Sequence, residues 1–271
     1  MTFFEIIILA VIQGLTEFLP VSSSGHLSML QTIFERSKGV LTENATLDIL
    51  LHFGTLLATV LFFRKEILAL VRGLFPGLQQ EDSVFPGRER RMIVLMICAL
   101  VPTGAIGLGL SPVFEKMLHN NLLVGIMFGL TAAILYTSRY FVPSKSFASV
   151  TIADAFIIGI IQGIAVMPGL SRSGVTIATA LILGWGRKDA FDFSFLISIP
   201  AILGATLLEI KHLQFQDMST MRNYCAGLII AGVIGYVSLI FLRHIVIGKK
   251  FYLFSFYCAA AAIASIIIYL I

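Results

Sequence analysis

Four stretches of this chain, Met92–Phe114, Asn120–Ser138, Asn223–Leu242 and Phe251–Ile271, contain no Asp, Glu, Lys or Arg. Each is close to the ~20 apolar residues that carry a helix across a hydrocarbon core. A soluble core helix keeps a polar face, and these runs have none. The rest of the chain agrees: 58% of its 271 residues are hydrophobic and 13% charged, against about 25% charged in a soluble domain. Mean hydropathy is +0.95. The pattern excludes a soluble domain and predicts an all-α integral membrane protein.

The net charge of +4 does not point to nucleic acid, because Lys and Arg collect in the loops between apolar runs. Cys98, Cys225 and Cys258 lie inside those runs without CxxC spacing and read as packing residues. Met1–Pro20 has an apolar stretch like that of a signal peptide. It lacks a basic leader, carries Glu5 and runs straight into a polar motif, so it is expected to stay on the chain.

Two segments resemble each other at an offset of 149 residues. Ile12-Gln13-Gly14-Leu15, Pro20 and Ser22-Ser23-Ser24-Gly25 are matched by Ile161-Gln162-Gly163-Ile164, Pro168 and Ser171-Arg172-Ser173-Gly174. In each, Pro and Gly stop an apolar helix and serines supply N-caps for a second, short one (Gly25–Phe34, Gly174–Trp185). Half-helices of ~10–17 residues are too short to cross at ~1.5 Å per residue. Each pair therefore reads as a re-entrant helical hairpin, over residues 2–34 and 152–186, whose irregular backbone is buried in protein or lines a cavity. The alternative, in which both hairpins cross, needs eight full spans.

Three spans follow each hairpin, near Leu47–Leu70, Met92–Leu110 and Asn120–Phe141, then Phe191–Ile210, Tyr224–Arg243 and Phe251–Ile271. The expected architecture is six transmembrane helices plus two re-entrant hairpins. Its halves, 1–141 and 151–271, form an inverted-topology repeat within one membrane domain. One side of that arrangement holds Arg36, Lys38, Lys116, Lys211 and Arg222, while the other holds thirteen Lys and Arg. The richer side, including a linker over Phe75–Arg91, reads as cytoplasmic, and both termini as outside.

Glu17, His26 and Arg172 are ionisable groups within the hairpins, where charge is expensive and marks function. Gln13 and Glu17 share a helix face at i, i+4. Ser22 and Ser23 precede His26 by about a turn, so hydroxyl and imidazole are expected on one side. Both second half-helices start at an elbow, and a helix N-terminus with about +0.5 charge favours an anion. Arg172, Ser22, Ser24, Gly25, Ser171, Ser173, Gly174 and Thr176 thus form an expected phosphate clamp, in which a guanidinium outperforms an ammonium. Glu17 and His26 supply proton transfer. His52 reads either as a residue behind this cluster or as one at the membrane interface, and Asp192 as a cap for its span. His119, His212 and His244 are expected at solvated loop edges.

The stretch Gln13–His26, with its acid, serine run and histidine, resembles the first signature of the bacterial undecaprenyl-diphosphate phosphatases, the bacitracin-resistance proteins. Pro168-Gly169-Leu170-Ser171-Arg172-Ser173-Gly174-Val175-Thr176 resembles the second, PGxSRSxxT. Asp48–Thr55 and Phe193–Pro200 also look like family sequence, and the likeness spans nearly the whole chain. It implies hydrolysis of undecaprenyl diphosphate to the monophosphate and phosphate, recycling the carrier lipid for cell-wall synthesis and conferring bacitracin resistance. It implies an enzyme of the bacterial cytoplasmic membrane, with a site opening outward, a divalent cation (magnesium or calcium), and room for a homodimer. Carried over by motif, Glu17 is the essential acid and metal ligand, Ser23 the implicated hydroxyl, His26 the histidine and Arg172 the phosphate-binding arginine. Gln13 stands where other members have Glu, which weakens it as a second metal ligand.

Three routes fit these residues: attack by Ser23 with His26 relaying its proton, attack by His26, and attack by metal-held water. The rival function is a transporter of lipid phosphate or a small anion on the same inverted repeat. Phosphate transport has no obvious need for the Glu17–Ser23–His26 set.

Overall fold

A computed structural model describes residues 2–38, 45–74, 87–118, 120–213 and 217–271, without the side chains of 35–38, 115 and 212. The described residues contain helices and no strand. In chain order these are α1 (Phe3–Thr16), α2 (Ser23–Lys38), α3 (Ala45–Phe62), α4 (Arg64–Leu74), α5 (Arg88–Leu118) and α6 (Asn121–Thr137). There follow α7 (Ile152–Ile164), α8 (Arg172–Ile182), α9 (Arg187–Glu209), α10 (Met218–Ile247) and α11 (Phe254–Leu270). Six segments are long and apolar enough to cross a membrane: Ala45–Phe62, Arg88–Phe114, Asn121–Tyr140, Arg187–Glu209, Met218–Ile247 and Phe251–Leu270. Most of the linker expected over 75–91, and His119, fall outside the described residues, as does the His212 side chain.

Three sequence expectations are corrected. The span read over 47–70 ends at Phe62, where Arg64-Lys65-Glu66 begins. α4 then runs as a separate amphipathic helix, with Ile67 and Leu70 against the core and Arg64, Lys65 and Arg72 exposed. Arg88–Arg91 form the first turn of α5, not a linker. Asp192 caps nothing: α9 starts five residues earlier, at Arg187 after Gly186.

α1 and α7 open alike. Thr2 and Glu5 form a capping box, and so do Thr151 and Asp154, each 149 residues on. In the second box Lys145 Nζ donates to both Asp154 oxygens (2.9 and 2.8 Å). Its ammonium, with the capping N–H, outweighs burial and holds that carboxyl below its ordinary range. α1 packs on α10 while α7 packs on α5, α6 lies on α11, and α3 meets both α9 and α10. The Gln-Gly pairs of the repeat explain the first two contacts. A Cβ on Gly14 would come within 2.8 Å of the Ala231 carbonyl, and one on Gly163 within 2.8 Å of Ile106 Cβ. Where lipid replaces water, such close backbone approach and interhelical hydrogen bonds hold helices together, at roughly 0.6 kcal/mol per bond. Thr103 Oγ1 donates to the Gly159 carbonyl (2.9 Å) and Ser265 Oγ to that of Asn121 (2.7 Å).

Candidate active site

α1 and α2 are joined by an elbow at residues 17–22, and α7 and α8 by one at 165–171. In the first, Ser22 Oγ accepts the Gly25 N–H (3.3 Å); in the second, Ser171 Oγ accepts the Gly174 N–H (3.1 Å). A second hydroxyl stands 3.4 Å from each of these serines: Ser24 beside Ser22, Ser173 beside Ser171. The elbows also clasp each other. The Gly169 N–H donates to Ser22 Oγ (3.1 Å) and Ser173 Oγ to the Phe18 carbonyl (2.9 Å). From outside, Thr131 Oγ1 of α6 donates to the Gly169 carbonyl (3.1 Å) and Cys258 Sγ of α11 to that of Pro20 (3.3 Å). Ser22 is held at φ +63°, a left-handed conformation that costs a side-chain-bearing residue roughly 1–3 kcal/mol. The bonds to its hydroxyl from Gly25, in the first turn of α2, and from Gly169, in the other elbow, keep it there.

Several residues expected in a phosphate clamp therefore have their hydroxyls committed to the fold. Ser22, Ser171 and Ser173 staple the elbows, and Thr176 Oγ1 donates back to the Arg172 carbonyl (2.8 Å). What faces inward is a cluster around Glu17, whose side chain is only 6% exposed. An Arg172 Nη2 donates to Glu17 Oε1. Ser23 Oγ donates to Oε2 at 2.6 Å and Gln13 Nε2 to the same oxygen at 3.1 Å. His52 Nε2 lies 3.8 Å from it, too far for a hydrogen bond, with Nδ1 on the Asp48 carbonyl at 2.9 Å. His52 thus stands behind the cluster. A lone carboxylate at this depth would be strongly disfavoured; the guanidinium and two donors offset its desolvation. Arg172 keeps further N–H donors beyond the one given to Glu17.

The expected Ser23–His26 pairing is absent. Ser23 donates its hydrogen bond to Glu17, while His26 Nδ1 sits 2.7 Å from the Ser22 carbonyl and Nε2 2.8 Å from the Tyr257 hydroxyl. Helical spacing brings Ser23 and His26 to similar azimuths, but the elbow's own carbonyl and a distant helix take the imidazole. Tyr257 and Phe128, whose ring meets His26 edge-on at 5.1 Å, had no signal in the sequence: both are aromatic residues in apolar runs.

A divalent cation can be tested against this set. Gln13 Oε1 is buried without a hydrogen-bond partner and belongs to the side chain whose amide contacts Glu17. Among the described residues no group of three His, Cys, Asp or Glu is placed to hold a metal. Glu17 and Gln13 Oε1 fit a hard cation that draws its remaining ligands from substrate phosphate and water, as magnesium commonly does.

At the second elbow Val166 stands where Glu17 stands in the first, Val175 for His26, and Arg172 for Ser23. Gln162, the counterpart of Gln13, also has a buried, unpartnered Oε1.

Fold and cluster together define a multi-spanning helical membrane protein with a buried carboxylate, guanidinium and hydroxyl gathered where two helix elbows meet. The chain belongs to the bacitracin resistance protein BacA family, whose model matches residues 6–264. It is 38% identical over 271 residues to an undecaprenyl-diphosphatase of Methanosphaera stadtmanae, covering 97% of this chain and 96% of that one. It is 39% identical over 262 residues to one of Carboxydothermus hydrogenoformans (95% and 94% covered). A Parabacteroides distasonis undecaprenyl-diphosphatase is 38% identical over 271 residues, with 98% of each chain covered.

Proposed function

We propose that this chain hydrolyses undecaprenyl diphosphate to undecaprenyl phosphate and inorganic phosphate, returning the carrier lipid to cell-wall synthesis and opposing bacitracin. The reading is carried by full-length likeness to proteins named undecaprenyl-diphosphatase, in a chain whose buried Glu17 joins Arg172 to Ser23. The transporter reading gains nothing from these relatives.

Ser23 is the nucleophile and Glu17 its base. The Ser23 hydroxyl already donates its hydrogen bond to the Glu17 carboxylate, leaving the oxygen lone pairs free to attack. As Oγ bonds to the terminal phosphorus, the proton passes to Glu17 Oε2 and the bridging P–O bond breaks, releasing undecaprenyl phosphate. The unused N–H groups of Arg172 and the adjoining α2 and α8 N-termini bear the charge on the phosphoryl oxygens. Water then attacks the phosphoserine and gives a proton to Nε2 of His26. The departing Ser23 oxygen recovers its proton from Glu17, inorganic phosphate leaves, and His26 gives the proton taken from water back to solvent. Glu17 and Gln13 would hold a divalent cation, magnesium or calcium, which when bound neutralises diphosphate charge.

The shared capping boxes, matched elbows and reciprocal packing of α1 on α10 and α7 on α5 support two re-entrant hairpins in an inverted repeat, with halves 1–141 and 151–271. The excess of basic residues in one set of loops supports both termini outside the bacterial cytoplasmic membrane. A cysteine placed at residue 145 in a cysteine-free background should resist an impermeant thiol reagent in intact cells; ready labelling would reverse the orientation. A homodimer is compatible with this arrangement. The function itself is tested by phosphate release from a long-chain polyprenyl diphosphate in detergent, where transport across a bilayer cannot occur. Release that a chelator suppresses is expected, and a folded protein releasing none would refute the phosphatase.

A further inference from the structure

Tyr257 is the contact to His26 that the sequence motifs leave out. A backbone carbonyl can only accept, so the 2.7 Å approach of His26 Nδ1 to the Ser22 carbonyl puts the ring proton on Nδ1. The neutral imidazole then has one lone pair in its ring plane, on Nε2, and the Tyr257 hydroxyl donates to it at 2.8 Å. The two rings are nearly parallel, with an interplanar angle of 18° and centroids 5.7 Å apart. Phe128 closes the arrangement edge-on. The next residue, Cys258, is bonded to the Pro20 carbonyl, so α11 is pinned to the elbow that carries His26. The only base on this elbow besides Glu17 is therefore held at both nitrogens, one end by its own helix and the other by the last helix of the chain.

We propose that Tyr257 is a positioning residue for the hydrolysis: with the ring proton kept on Nδ1 by the Ser22 carbonyl, its hydroxyl holds the His26 ring and aims the Nε2 lone pair until water takes the hydroxyl's place. The inference rests on the phosphatase reading. Tyr257 acts through His26 and not on the lipid, so its loss should appear in kcat and leave KM alone.

The test is Tyr257→Phe, which keeps the ring and removes one hydrogen bond. In detergent-solubilised, 15N-histidine-labelled full-length protein, His26 is assigned by comparison with His26→Gln. Its Nε2 resonance should be of the unprotonated type and move downfield in Tyr257→Phe, because the lone pair is released. Turnover should fall roughly 2- to 10-fold with KM within about twofold, the scale of one neutral hydrogen bond. An Nε2 that is protonated in the parent, or unmoved by the substitution, overturns the inference while leaving the phosphatase standing. So does a rise in KM at unchanged kcat, which would make Tyr257 a lipid contact. A parent that releases no phosphate overturns the phosphatase and this inference with it.

Discussion

The elbow before α2 and the elbow before α8 are built alike. In each a serine hydroxyl, Ser22 or Ser171, receives the N–H three residues on, and a glycine, Gly25 or Gly174, follows in the first helical turn. The chemistry is not shared in this way. The first elbow carries Glu17, Ser23 and His26, while the second has Val166, Arg172 and Val175 at the same places. Two elbows of like build thus bring two helix N-termini together, with the acid, the serine proposed as nucleophile and the histidine on one side and the guanidinium on the other. Neither elbow makes a site alone, because Glu17 needs the guanidinium from across the junction to stay ionised at that depth.

Substitutions that break this division should hurt most. Glu17→Gln removes the proton acceptor of Ser23 and the partner of Arg172 together, and kcat is expected to fall roughly 10²- to 10⁴-fold, with a blunted response to added magnesium. Arg172→Lys keeps the charge but loses the fork. A loss of roughly 30- to 1000-fold in kcat/KM is expected, and near-native turnover would remove Arg172 from the site.

The shared scaffold should respond in stability, and unequally. A Cβ on Gly25 would stand 2.6 Å from the Phe128 ring and 2.9 Å from Gly169 Cα, whereas one on Gly174 meets Ser171 Oγ and Pro20 Cβ at 3.0 and 3.1 Å. Gly25→Ala should cost about 1–3 kcal/mol and Gly174→Ala clearly less, measured by thermal unfolding in one detergent. The smallest effect is expected for Gln162→Ala, because Val166 follows this Gln13 counterpart where Glu17 follows Gln13. Its activity should match the parent within about twofold, and a large loss would mean that the second elbow carries chemistry of its own.

The sequence made the elbows legible because their helix breakers, serines and glycines recur at a fixed offset, and a charge inside an apolar run marks itself. Glu17 and Arg172 could be picked out on that ground, and they meet in the structure. The resemblance singles out Ser23, but helical spacing alone does not tell the three hydroxyls apart. Ser22, Ser23 and Ser24 are consecutive, and only the Ser22 conformation, φ +63°, turns one into a staple and its neighbour toward Glu17. The Ser23–His26 relay was a reasonable reading of helical spacing, overridden by a carbonyl and by Tyr257, 231 residues away. The break at Phe63 was hidden because Ile67 and Leu70 continue the apolar pattern past the charges. Asp192 was misplaced because the charged turn before it, Arg187-Lys188-Asp189, is helical too.

The division of labour between the elbows comes down to what attacks the phosphorus. The direct measurement is to mix the enzyme with polyprenyl diphosphate labelled in its terminal phosphate, quench in acid within one turnover, and map the label by mass spectrometry. Acid-stable phosphoserine is expected at Ser23, absent from Ser23→Ala and from Glu17→Gln. Acid-labile label on His26, or full turnover by Ser23→Ala, would contradict it.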